Sequence, residues 1–128
     1  MKIKIGIVGY GNIAKGVEKE IVKNKDMELV AIFTRRNLNE ITSDNKVYSL
    51  SDIQKFVGKI DVMILCLGSA TDLPKYAHVI CRNFNTVDSF DTHAKISDYY
   101  KHINKVNKKS NTVSLVSAGW DPRNIFFD

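Results

Sequence analysis

The apolar run Ile3 to Val8 passes straight into Gly9-Tyr10-Gly11-Asn12-Ile13-Ala14, and no other feature of the chain constrains the fold as tightly. The pattern predicts a strand, a tight glycine turn and the first turn of a helix. Such a turn leaves helix-terminal N–H groups free to face an anion. Gly9 lets the chain reverse sharply and Gly11 lets bare backbone approach phosphates. Ala14, where a third glycine often stands, is small enough for the helix to lie close on the strand. A lone GxGxxA is a weak signal. Here a strand precedes it, and a helix from Asn12 to about Lys23 follows, with apolar Ile13, Val17, Ile21 and Val22. These flanks favour dinucleotide binding over a plain strand–helix turn.

The second strand, Glu28 to Phe33, sharpens this expectation at its end. An NAD site wants a carboxylate there for the ribose. The chain instead reads Thr34-Arg35-Arg36-Asn37. Guanidinium forks match phosphate oxygens, so the 2′-phosphate of NADP is the natural partner. The alternative is an arginine pair on a solvated loop, common in a basic protein. The position after the second strand favours NADP over NAD.

Beyond this point strands and helices alternate. A polar, mobile loop is expected over Asn37 to Asn45, then a short strand from Val47 to Leu50. Ser51-Asp52 supplies an N-cap for a brief helix through Ile53, Phe56 and Val57. Val62 to Cys66 is a continuous apolar run, as in a central parallel strand buried on both faces. A helix starts near Thr71 or Asp72, carries Pro74 in its first turn and runs to about Phe84. Thr86 to Asp88 is a fifth strand. Ile96 to Lys108 is a helix bearing Tyr99, Ile103 and Val106, and Val113 to Val116 is a sixth strand. The order predicts an α/β fold: a Rossmann-type, doubly wound parallel sheet with right-handed crossovers. With 128 residues there is room for one domain and not for a second, substrate-binding one.

The formal net charge of +5 favours anionic partners in general. Much of it sits in Lys101 to Lys109, without interleaved aromatics, so a solvated helix face is expected rather than a nucleic-acid footprint. Apolar runs are strand-sized, which argues against a membrane span. Cys66 and Cys81 are far apart and make no CxxC pattern. Without a signal peptide they suggest reduced thiols in a cytoplasmic protein.

Ligands of such sheets sit at the carboxyl ends of the strands. Three ends carry reactive groups: Gly68-Ser69-Ala70-Thr71, Asp88-Ser89-Phe90-Asp91 and Ala118-Gly119-Trp120-Asp121. Asp88, Asp91 and Asp121 suit a substrate ammonium, which must be held and oriented for hydride loss from its carbon. Asp88 and Asp91 read alternatively as caps of the following helix; for Asp88 a cap or turn role stays open, whereas Asp91 and Asp121 favour the substrate. Trp120 either walls the pocket or fills core. Ser69 and Thr71 are cofactor contacts, with a helix cap the alternative for Thr71. His78 and His102 read as helix-face residues. His93 either neighbours the site or is a loop residue without a role, and the histidines make no metal set. Cys66 is a packing residue rather than a nucleophile.

Five motifs together resemble one family, meso-diaminopimelate dehydrogenase. They are Val8-Gly9-Tyr10-Gly11-Asn12, Ile32-Phe33-Thr34-Arg35-Arg36, Cys66 to Asp72, Thr86 to His93 and Ser117-Ala118-Gly119-Trp120-Asp121-Pro122. The resemblance covers the chain up to Pro122 and implies an NADP-dependent oxidoreductase. Its reaction is oxidative deamination of the D-centre of meso-2,6-diaminopimelate to L-2-amino-6-oxopimelate and ammonia. The reverse, a reductive amination, feeds lysine and cell-wall precursors. Carried over by motif, Gly9, Gly11, Asn12 and Ile13 hold the pyrophosphate. Thr34, Arg35 and Arg36 take the 2′-phosphate. Cys66, Leu67, Gly68, Ser69, Ala70 and Thr71 lie along the cofactor toward the nicotinamide. Asp91 and Asp121 hold the reacting amino acid centre, and Trp120 and Asp88 shape the pocket. The resemblance also implies a homodimer.

After Pro122 the chain departs from the family pattern. Residues 1–122 are expected to be an NADP-binding Rossmann domain and 123–128 a divergent tail. The family's substrate-binding and dimerisation region does not follow, so a truncation, through a slipped reading frame, is expected. Two further readings stand beside the dehydrogenase: a non-catalytic NADP-binding module, and a Rossmann reductase with another small substrate. An exposed apolar face, with poor solubility or self-association, is a further expectation.

Overall fold

The computed structural model describes residues 1–68, 71–88 and 96–116. Strand β1 (Ile3–Val8) leads into helix α1 (Asn12–Lys23), then β2 (Met27–Thr34) and β3 (Val47–Ser49). Next come β4 (Val62–Leu65), α2 (Asp72–Ile80), β5 (Thr86–Asp88), α3 (Ile96–Ser110) and β6 (Ser114–Leu115). The strand order is β3-β2-β1-β4-β5-β6 in one six-stranded sheet. The β1–β2, β1–β4, β2–β3 and β5–β6 pairings are all parallel. This is the predicted Rossmann-type sheet. Chain order runs outward in opposite directions from β1 and β4, so the topological switch point lies between those two strands.

By compactness the chain divides into Met1–Cys66 and Leu67–Asp128. In the first unit the strand alternation sends successive residues of β2 to opposite faces. Ile32 joins Ile5, Ile7, Tyr10, Ala14 and Ile21 in the cluster under α1. Phe33 packs instead on Tyr48 and Phe56, with ring centroids 6.1 and 5.0 Å away. Both faces of this part of the sheet are therefore covered. Gly6 makes the fit possible beside β4, because a Cβ there would lie 2.6 Å from Met63 Sδ and 2.9 Å from Ile60 Cδ1. The β1–β2 register shifts between Ile5 and Gly6.

Several local expectations need correction. Only Ala14 and Ile21 of α1 are buried; Ile13 and Val22 are 63% and 62% exposed. The inward stripe is Ala14–Val17–Ile21, one residue out of phase with the apolar positions at its ends. The 37–45 loop holds a 3-10 turn, Leu38–Glu40, capped by Asn37, whose side chain accepts from Asn39 N–H. The segment after β3 is also 3-10, Leu50–Phe56, and its cap is Ser49 rather than Ser51-Asp52: the Ser49 side chain accepts from Ser51 N–H. In β4, Met63 and Leu65 are buried, while Val62 and Ile64 are half-buried.

In the second unit, α2 ends at Ile80, four residues short of the expected Phe84. Arg82 and Asn83 N–H bond to carbonyls three residues back, tightening the chain out of the helix. Thr112 Oγ1 donates to the Cys81 carbonyl at 2.5 Å and fixes this exit. Helix α3 runs to Ser110, two residues past expectation, and buries Tyr99 and Ile103. Strand β6 shrinks to Ser114–Leu115, with Val113 outside it. Among the described residues no helix is long and apolar enough to cross a membrane.

Candidate cofactor-binding site

Within the first unit, parallel pairing brings the carboxyl ends of three strands to one edge. Val8 is in register with Phe33 of β2 and with Leu65 of β4. Backbone bonds continue past the strand ends, from Gly9 N–H to Phe33 O at 2.7 Å and from Cys66 N–H to Val8 O at 2.8 Å. Gly9, Thr34 and Cys66 are thus neighbours by backbone geometry, as three of the predicted cofactor segments require.

Gly9 has φ +95°, a conformation that L side chains rarely adopt. Gly11 serves differently. Its φ of −91° is ordinary, and a Cβ built on it would meet nothing within 4 Å. No protein neighbour demands a glycine there; the open direction is where a ligand can close on bare backbone. Gly11 is the N-cap of α1 and offers no side-chain cap bond, and the first turn, which begins with Asn12 and Ile13, holds no acidic residue. The first N–H groups and the positive end of the helix dipole therefore meet no anion from the helix's own cap or first turn. Ala14 is fully buried, as close helix–strand packing requires.

At the end of β2, Thr34 is 3% exposed and its Oγ1 accepts from Arg36 N–H at 3.0 Å. That bond makes a hydroxyl turn that carries Arg35 and Arg36 out to the surface, where both are exposed. Cys66 is half-buried, and burial raises its thiol to about 11, so it stays protonated and inert at neutral pH. This agrees with its packing role.

In the second unit, Leu67 is buried and Gly68 O accepts from Leu73 N–H at 2.9 Å, opening α2. Thr71 is the N-cap residue of α2 without a side-chain cap bond to the helix; its Oγ1 reaches Asp72 Oδ1 at 3.5 Å. The helix-cap alternative for its side chain is therefore not what is seen. Asp88 ends β5, is 3% exposed and accepts from Tyr99 Oη at 2.6 Å. Burial, with the Asp88 charge beside it, pushes the Tyr99 hydroxyl far up, so it remains a donor. Ser69, Ala70, Asp91, His93, Trp120 and Asp121 lie outside the described residues. His78 and His102 face each other from α2 and α3, ring centroids 5.1 Å apart. Among the described residues no group of three or more His, Cys, Asp or Glu is placed to hold a metal.

Sequence reasoning passed over Tyr99, read as a core position, and Glu18, read as nothing. Glu18 accepts from Tyr10 Oη, Ser43 Oγ and Asn45 Nδ2. A signal existed: Glu18 stands four residues after buried Ala14, on the inward stripe of α1, where a lone acid needs partners.

No protein-family profile matches the chain. It is 53% identical over 123 residues to a meso-diaminopimelate D-dehydrogenase of Ureibacillus thermosphaericus, covering 94% of this chain and 38% of that one. Among solved structures, an engineered D-amino acid dehydrogenase bound to NADP+ superposes with a TM-score of 0.90 at 40% identity, over 95% of this chain and 38% of that one. The Corynebacterium glutamicum diaminopimelate dehydrogenase, in complex with diaminopimelate, gives 0.89 at 40% identity, over 94% and 37%. Over nearly all of its length the chain is similar to meso-diaminopimelate dehydrogenases, of whose length it spans less than two fifths.

Proposed function

We propose that this chain is the NADP-binding portion of an oxidoreductase that deaminates the D-centre of meso-2,6-diaminopimelate to L-2-amino-6-oxopimelate and ammonia, and reverses that reaction. The observation that carries the cofactor assignment is the start of α1: an unacidified, uncapped helix end behind a glycine with nothing over its α-carbon. The relatives' names and their NADP+ and diaminopimelate complexes support the rest. When bound, NADP supplies the acceptor and donor of hydride.

The residues then divide the work. Gly9 and Gly11 shape the turn, and the N–H groups of Asn12 and Ile13 face the pyrophosphate. Arg35 and Arg36 take the 2′-phosphate as charged, forked donors. Thr34 sets this turn by accepting from Arg36 N–H, and its hydroxyl proton donates to the same phosphate. Cys66, Leu67, Gly68, Ser69, Ala70 and Thr71 run along the cofactor. Asp91 and Asp121 hold the substrate ammonium, Trp120 closes the pocket, and Asp88 shapes it from the end of β5. A homodimer and a cytoplasmic, reducing setting complete the reading, the latter suited to the free thiols Cys66 and Cys81.

The test is calorimetric titration with NADP and NAD, followed by a turnover assay with meso-diaminopimelate and NADP. NADP binding tighter than NAD, with oxidation at the substrate's D-centre and reduction of NADP, is expected. Equal affinity for the two would refute the role of the arginines. Cofactor binding without turnover would make this polypeptide an NADP-binding module instead, as its 38% span of its relatives allows.

A further inference from the structure

Three side chains from two separate segments converge on one carboxylate in the Met1–Cys66 unit. Glu18 Oε1 accepts from Tyr10 Oη at 2.6 Å, and Oε2 accepts from Ser43 Oγ at 2.5 Å and Asn45 Nδ2 at 2.7 Å. Ser43 Oγ in turn accepts from Asn45 N–H at 3.0 Å, which fixes the loop's own shape. Tyr10 stands between the two glycines of the phosphate-facing turn. Ser43 and Asn45 stand on the connection that leads from Arg35 and Arg36 to β3.

We infer that Glu18 is a positioning residue that clamps the Gly9–Gly11 turn and the 41–45 connection to one point on α1. The clamp presents the turn's N–H groups and the guanidiniums after β2 at a set spacing. It rests on the reading that NADP is the ligand.

The chemistry suits a permanent clamp. Burial alone would raise the Glu18 carboxyl, but the bonds from Ser43, Tyr10 and Asn45 outweigh it and hold the group below the ordinary carboxylate range. It is therefore ionised and acceptor-only at neutral pH, which matches three donors. Burial and the bond to Glu18 push Tyr10 up, so it keeps its proton to donate. A ligand that bridges two segments binds in proportion to the population in which both are in place. Freeing the 41–45 connection lowers that population without removing any group that touches the ligand.

The test is calorimetry on the full chain with two ligands: NADP, which spans both segments, and adenosine 2′-monophosphate, which carries only the 2′-phosphate end. Glu18→Gln leaves one oxygen to accept and turns an amide donor toward other donors. It is expected to weaken NADP ~10-fold and adenosine 2′-monophosphate less than ~3-fold, and Ser43→Ala to weaken NADP ~3-fold. If Glu18→Gln binds NADP like the unmodified chain, the clamp is refuted and the cofactor assignment stands. If both ligands weaken by the same factor, in step with the folded fraction seen by circular dichroism, Glu18 is only structural and the inference fails. If the unmodified chain binds neither ligand, the cofactor assignment itself falls, and the clamp with it.

Discussion

Two helices in this chain begin just after a strand and a glycine-containing turn, and their first turns are opposites. Helix α1 follows β1 through Gly9 and Gly11, and its first turn holds no acid. Helix α2 follows β4 through Gly68, and its first turn holds Asp72, toward which the Thr71 hydroxyl points. A Cβ on Gly11 would meet nothing, whereas one on Gly68 would lie 3.7 Å from Asp72 Oδ2. The first start leaves its positive end for a ligand's charge; the second neutralises its own. Helix geometry is the same in both, so a glycine before a helix is not what makes a phosphate site. What matters is whether the chain supplies an anion of its own.

The strongest way to break this comparison is to make the first start resemble the second. In Gly11→Asp the backbone needs no change, since φ −91° suits any residue and the Cβ has open space. Aspartate is a better N-cap than glycine and should raise helix stability by a few tenths of a kcal/mol, roughly 0.3. The same charge faces the phosphates, and like-charge juxtaposition costs several kcal/mol, so NADP binding should fall by ~100-fold or more. Thermal unfolding and calorimetry together read the two opposite signs. A variant that is stabilised yet still binds NADP would remove α1's start from the site.

Next in size is the charge that follows β2. Arg35→Ala with Arg36→Ala removes two forked donors from an exposed turn that keeps the bond from Arg36 N–H to Thr34 Oγ1. NADP affinity should drop ~30-fold, while NAD affinity moves less than ~3-fold, because only NADP carries the 2′-phosphate. Parallel losses for both cofactors would show that the arginines act on the pyrophosphate or on the fold.

How much of this was legible in the sequence depends on how far apart the partners lie. Strand β1 and helix α1 have the bounds that their periodicity predicts, because Gly9 and Gly11 set the junction locally. The exit of α2 does not, since Thr112, 31 positions on, grips the Cys81 carbonyl. Glu18 could be flagged by its place on the inward stripe of α1, but its loop partners could not, being 25 and 27 residues away on a polar connection with no pattern of its own. The glycine turn, the arginines and Cys66 could be placed from motif and strand ends alone. Asp88 could be placed but not understood, because its partner Tyr99 looks like any inward apolar position on a helix.

That pair offers a smaller test, confined to the second unit. Tyr99→Phe keeps the ring in the core but removes the hydroxyl donor to a buried carboxylate. Loss of a hydrogen bond to a charged group should cost ~1.5–3 kcal/mol in unfolding free energy. NADP affinity of the folded protein should be unchanged if Asp88 belongs to the substrate side of the site. A drop in NADP affinity without a stability change would transfer Asp88 to the cofactor.

The smallest expected effect is the mirror image of Gly11→Asp. Asp72→Asn removes the acid from the first turn of α2 and leaves its size unchanged. The helix loses a favourable charge–dipole interaction of ~0.3–1 kcal/mol, so stability should fall slightly. If α2's start takes no phosphate, NADP affinity should rise less than ~3-fold, because a removed charge outside the phosphate site acts only through screened, long-range repulsion. A rise of tenfold or more would mean that Asp72 had been opposing a phosphate at close range. The two helix starts would then share the pyrophosphate, and the contrast between them would be one of degree.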